Sequence, residues 1–183
     1  MNKKVIQEWL DNTWDSYIPE YFITLHWKDT PTKEERVIEH TTHFNNVLFT
    51  KFHGKSRCVK VPKFPNRIGI QHFHEISPLF VKNRKGIPKS KLVFHTHSVL
   101  SNTKGYFRDE EHVSQYINNF VQDKKVKSLK KLRPEVSVRP WKEEFHREYN
   151  ISSPKKIKRE LSDGHPILDI HNSDLLPVMN YEN

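Results

Sequence analysis

Cysteine is all but absent: Cys58 stands alone among 183 residues. The chain can therefore close no internal disulfide and build no multi-cysteine zinc site, and any metal chemistry falls to its twelve histidines and its carboxylates. No stretch approaches the about 18 apolar residues of a membrane span, and the opening residues MNKKVIQEWLDNTW lack the apolar core and small-residue cleavage site of a secretory signal. The expected location is the cytoplasm, with no membrane partner. Nucleotide-binding loops are missing too. Gly54-Lys55-Ser56 imitates the end of a P-loop, but the required glycine five positions earlier is Phe49, and the triplet follows a helical pattern where it should open one. Acidic residues are in deficit, 22 against 31 lysines and arginines, for a formal charge of +9 and a pI near 9.5. With aromatics at 11% interleaved among the basic residues, that balance favours a polyanionic partner without naming a reaction.

The length suits one domain with a modest core, and there are no internal repeats. Tyr21-Phe-Ile-Thr-Leu-His-Trp27 is β-branched and aromatic and reads as a strand ended by Asp29 to Pro31. The capping box Thr32-x-x-Glu35 starts a helix, continued by Val37, Phe44, Val47, Leu48 and Phe52 at helical spacing and stopped by Gly54. Arg67 to Ile76 and Lys91 to Leu100 read as two strands able to pair as a long hairpin, with basic loops before and between them. Asp109 is placed to cap a helix with Val113, Ile117, Phe120 and Val121 on one face. Glu135 to Arg139 alternates as a strand, and Pro140-Trp141 opens a further helix striped by Trp141, Phe145 and Tyr149. The expected order is β-α-β-β-α-β-α within a domain spanning residues 1–158. Residues 159–183 are expected to be a tail, ordered against the body or a partner.

The chemistry concentrates in Phe94-His95-Thr96-His97-Ser98. Side chains two apart on a strand share a face, so His95 and His97 would stand side by side and could chelate one divalent cation. Alternating polar residues also mark the wet face of any half-buried strand, so the neighbouring strand has to supply context. Ile70-Gln-His-Phe-His-Glu75 does so: Glu75 is the favoured third ligand because a carboxylate adds charge for Mg²⁺ or Mn²⁺, with His74 and His72 as alternatives. Glu75 and His74 must point to opposite faces, and spacing alone leaves open which face meets the metal.

Over residues 20 to 157, roughly, the chain resembles the HUH endonucleases: rolling-circle replication initiators, plasmid relaxases and related transposases. Tyr21 to Trp27 is similar to the first strand motif of that family, His95-Thr96-His97 to its histidine pair, and Tyr149 with Lys155 and Lys156 beyond it to its tyrosine motif. Thr96 stands where the family has a bulky apolar residue, and the gap from tyrosine to lysine is longer than usual. The resemblance implies an α+β fold, a ferredoxin-like or palm-like antiparallel sheet with helices packed on one face. It further implies metal-dependent nicking and joining of single-stranded DNA at an origin or hairpin, with Tyr149 as nucleophile, a 5′-phosphotyrosine intermediate, Glu75, His95 and His97 on the metal, and Lys155 and Lys156 on the phosphates. Such a protein would start rolling-circle replication of a plasmid or virus, and without an ATPase module it would need a host helicase or supercoiled DNA for strand separation. Two other readings keep the same residues: a basic module that only binds single-stranded DNA or RNA, and a hydrolytic nuclease in which water replaces tyrosine.

Overall fold

The longest regular feature is the hairpin of β2 (Gly69–Lys82) and β3 (Pro88–Ser101), fourteen residues a side in unbroken antiparallel register from Gly69↔Ser101 to Lys82↔Pro88. The computed structural model describes residues 3–52, 66–82, 86, 88–103, 105–123, 134–143, 167–169 and 171–175. Around the hairpin lie β1 (Pro19–His26), β4 (Glu135–Pro140) and the two-residue β5 (Ile167–Leu168). The sheet runs β4-β1-β3-β2-β5, with every pair antiparallel. Three helices complete the described chain: α1 (Lys3–Ser16), α2 (Glu34–Phe52) and α3 (Glu110–Gln122). The fold is α+β, as expected, and no described helix is long and apolar enough to cross a membrane.

Alternation along the strands sorts the side chains onto two faces. Ile23 and Leu25 of β1, Ile70 of β2 and Phe94 and Leu100 of β3 meet Val37, Phe44 and Leu48 of α2 and Val113, Ile117 and Phe120 of α3 in the larger core. Asp109 caps α3 as the sequence suggests, its carboxylate accepting the His112 amide at 2.8 Å. The α2 boundary is shifted slightly: the first intrahelical bond runs from Val37 N–H to Lys33 O, so Lys33, not Thr32, holds the cap position.

The expectation of helices on one face holds for α2 and α3, whereas α1 covers part of the other. Its Leu10 and Trp14, one turn apart, pack on Phe22, Phe73 and Val99, and Trp14 Nε1 donates to Gln71 Oε1 at 3.1 Å. No strand or helix was expected there, although Val5, Ile6, Trp9, Leu10 and Trp14 recur at the i, i+4 spacing of a helix. The helix expected after β4 falls almost wholly outside the described residues, although Trp141 at its start packs on Trp14 with ring centroids 5.2 Å apart. The described part of the expected tail lies against the body. Leu168 pairs with Phe73 in register, and Asp174 takes a bidentate contact from Arg67 at 2.6 and 2.7 Å.

Candidate metal centre

Register settles the parity that spacing left open. Glu75 lies opposite His95, and His97 lies between Phe73 of β2 and Thr24 of β1, so Glu75, His95 and His97 share the face away from α2 and α3. His97 Nε2 is 3.0 Å from His95 Nε2 and 3.1 Å from Glu75 Oε2, and His95 Nε2 is 3.4 Å from the same oxygen. Ligand atoms at about 2.1 Å from one cation and roughly at right angles around it lie about 3 Å from one another. The three atoms thus have the spacing of one facial set. Among the described residues they are the group of ligand-type side chains that could hold a metal ion.

The surroundings favour that use. His97 Nδ1 meets Thr24 Oγ1 at 3.1 Å and His95 Nδ1 meets Ser77 Oγ at 3.2 Å. With each Nδ1–H donating to its hydroxyl, both Nε2 lone pairs converge on the Glu75 carboxylate, an arrangement of three electron-rich atoms that a cation relieves. Burial holds the His97 imidazole below its ordinary pKa, with the Glu75 contact opposing and His95 reinforcing the shift, so the ring stays in the neutral, ligating form. Rings on either side fix the planes: His97 stacks on Phe22 at 5.1 Å and His95 on His26 at 5.3 Å.

The alternative ligands lie elsewhere. His72 and His74 project to the α2 face, where both nitrogens of each ring have a protein partner. His72 meets Ser98 Oγ at 2.7 Å and Asn45 Oδ1 at 2.8 Å; His74 meets Thr96 Oγ1 and Asp169 Oδ2, each at 3.1 Å. Asp169 in turn accepts from Thr41 Oγ1 at 2.6 Å and Asn172 Nδ2 at 2.8 Å. This network also accounts for Thr96 between the two histidines, since its hydroxyl accepts from Trp27 Nε1 at 2.9 Å as well as meeting His74. An apolar side chain there would leave both rings unsatisfied in the interior.

No family description, curated protein or solved structure matches this chain.

Of the sequence-derived site, Glu75, His95 and His97 come together, whereas Tyr149, Lys155 and Lys156 lie outside the described residues. The competing tyrosine, Tyr116, is embedded on the α2/α3 side, against Phe52, Phe107 and Phe120, where burial raises its hydroxyl pKa. Tyr21 packs on Phe107 on that same side, and Tyr106 is exposed against Phe52. The sheet thus separates these three hydroxyls from the metal group. Thr24 and Ser77 were missed by sequence reasoning. A lone hydroxyl on a strand carries no signal until register sets it beside a histidine.

Proposed function

We propose that this protein nicks and rejoins single-stranded DNA through Tyr149, with a divalent cation, Mn²⁺ or Mg²⁺, held by Glu75, His95 and His97. The observation that carries the reading is the convergence of these three side chains on the sheet face that Tyr116, Tyr21 and Tyr106 cannot reach. The bound cation would polarise a non-bridging phosphate oxygen and hold the phosphate. Tyr149 Oη attacks phosphorus, the new bond joins tyrosine to the 5′ phosphate, and the bond to the 3′ oxygen breaks. The tyrosine proton is released to water as the bond forms, and the departing oxygen takes up one in its place to leave a free 3′-hydroxyl, which can prime synthesis or reverse the attack and reseal the strand. Lys155 and Lys156 serve the phosphate charge. A tyrosine hydroxyl has a pKa near 10, so nearby cationic charge is what makes it a competent nucleophile at neutral pH.

One observation supports the role proposed for Tyr149. Trp141 packs against Trp14 of α1, the helix on the same side of the sheet as the metal group, so the chain leaves β4 on the required face. Tyr149 follows eight residues later in the sequence. The proposed role is initiation of rolling-circle replication of a plasmid or virus, with a host helicase or supercoiling opening the duplex.

Labelled single-stranded DNA, incubated with protein and Mn²⁺ and run on a denaturing gel, tests the reading. Protein-linked DNA is expected with the natural chain and with Tyr116→Phe, and none with Tyr149→Phe, with His97→Ala or in EDTA. Cleavage without a protein adduct would mean that water is the nucleophile. Binding without cleavage would mean a DNA-binding module, and an adduct mapped by mass spectrometry to another residue would remove Tyr149 from its role.

A further inference from the structure

The β2–β3 hairpin is longer than the sheet that holds it. β1 leaves β3 at Thr96, and β5 pairs only with Phe73 and His74, so beyond Glu75 and His95 the two strands continue as a ribbon. Its base is anchored by Phe94 and Ile76 in the larger core and by Phe94 N–H donating to Pro31 O at 2.7 Å, in the loop after β1. An isolated two-stranded ribbon is marginal in water, which makes a long one unusual without a partner. Residues 76–94 contain five lysines and arginines and no aspartate or glutamate, a local imbalance sharper than that of the whole chain. Lys89, Ser90, Lys91 and Leu92 are exposed, Leu92 at 42%.

The pleat gives this charge a direction. Lys89, Lys91 and Val93 alternate onto the same side of β3 as His95 and His97. At about 3.4 Å per residue, Lys91 lies about 14 Å and Lys89 about 20 Å along the strand from His95. Lys91 is also positioned, its Nζ donating to Thr30 Oγ1 at 2.6 Å with two further N–H groups left for an anion. No carboxylate pairs with either lysine among the described residues. A row of cations leading away from a metal group matches a row of phosphates leading away from a reacting one.

We propose that the outer half of the β2–β3 hairpin is a track for single-stranded DNA, along which a strand seated at Glu75, His95 and His97 continues with its phosphates against Lys91 and then Lys89. This rests on the DNA-joining reading above and adds the direction in which the substrate leaves the site. Each phosphate contact to a single strand contributes about 0.7 to the slope of log affinity against log salt.

The test is fluorescence anisotropy of a labelled oligothymidylate across a salt series, with the full chain, Lys89→Ala/Lys91→Ala, and Lys33→Ala/Arg108→Ala. The last variant removes the same charge from exposed positions on the helix side. The track predicts a slope shallower by about 1.4 for the ribbon variant and unchanged for the control. An unchanged slope in the ribbon variant, or an equal change in both, overturns it. So does a larger loss on duplex than on single-stranded DNA, since that would make the ribbon a groove reader. The denaturing gel run in parallel keeps the two claims apart. An altered slope without any protein-linked DNA upholds the track and rejects the covalent chemistry, while an adduct with an unaltered slope does the reverse.

Discussion

Two hydroxyls govern how the metal group presents itself. Thr24 Oγ1 and Ser77 Oγ hold the far nitrogens of His97 and His95, and such contacts set both the tautomer and the ring plane of a ligand. Thr24→Val keeps the shape and the β-propensity of the site but removes the acceptor from His97 Nδ1–H. Its affinity for Mn²⁺, measured by calorimetric titration, is expected to fall about ten-fold or more, with circular dichroism unchanged. Equal affinity in the two proteins would show that Thr24 does not orient the ring. Glu75→Gln retains size and hydrogen bonding yet removes the negative charge that would favour a hard divalent ion in the proposed site, so it is expected to weaken Mg²⁺ and Mn²⁺ binding in the same titration while leaving circular dichroism unchanged.

Among the elements, β2 carries the heaviest load. It presents Glu75 to one face and His72 and His74 to the other, and its free edge is closed by the segment 167–175. Asp169 is the pin of that closure, 2% exposed and bonded to His74, Thr41 and Asn172. Burial alone would raise its pKa, but the hydrogen bonds from these three side chains prevail and hold the carboxyl well below the usual range. Asp169→Ala leaves His74 Nε2 without its buried partner, while Thr41 and Asn172 keep the Ile38 carbonyl, and a loss of about 2 kcal/mol in urea unfolding is expected. An unaffected urea midpoint would mean that the segment is only draped on the edge of β2. Arg67, bidentate to Asp174 and lying 3.8 Å over the Phe49 ring, ties the same segment to α2.

Across the whole molecule the sheet divides two kinds of interior: a hydrocarbon and hydrogen-bonded core under α2 and α3, and a second face where α1 packs on Phe22, Phe73 and Val99 and the buried Glu75, His95 and His97 converge. The first of these makes stability depend on pH. His72 is wholly buried, and burial lowers its pKa from 6.5 to about 3. The unfolded chain binds a proton there below about 6.5 while the folded chain refuses it until about 3, so stability is present above that window and is lost as pH falls through it. The loss amounts to at most about 1.4 kcal/mol per pH unit from this group. Asp169, with its lowered pKa, adds a loss in the same direction at still lower pH. Thermal unfolding from about pH 7 to about pH 5 should therefore show a falling midpoint, and His72→Gln, less stable at neutral pH, should show a shallower fall. A His72→Gln curve parallel to that of the natural protein would assign the dependence to other groups.

By itself the amino-acid sequence determined the local elements that their own side chains specify. The 3.6-residue stripe of α3 with its Asp109 cap, the β-branched and aromatic run of β1, the alternation of β4, and the hairpin strands around His95 and His97 are written in local composition, short-range periodicity and turn chemistry, which act within a few residues. It also carried the pairing of His95 with His97, because a period of two needs no partner to be read. Only the tertiary structure decided between Glu75, His74 and His72, since the choice turns on the cross-strand register of β2 against β3 and a slip of one residue would exchange the faces. It alone revealed α1 as the cover of the second face and residues 167–175 as the closing edge of β2, for what each segment packs on is set by surfaces distant in sequence. The polar Thr96 between the histidines follows the same rule: its reason lies in Trp27 and His74, 69 and 22 residues away along the chain.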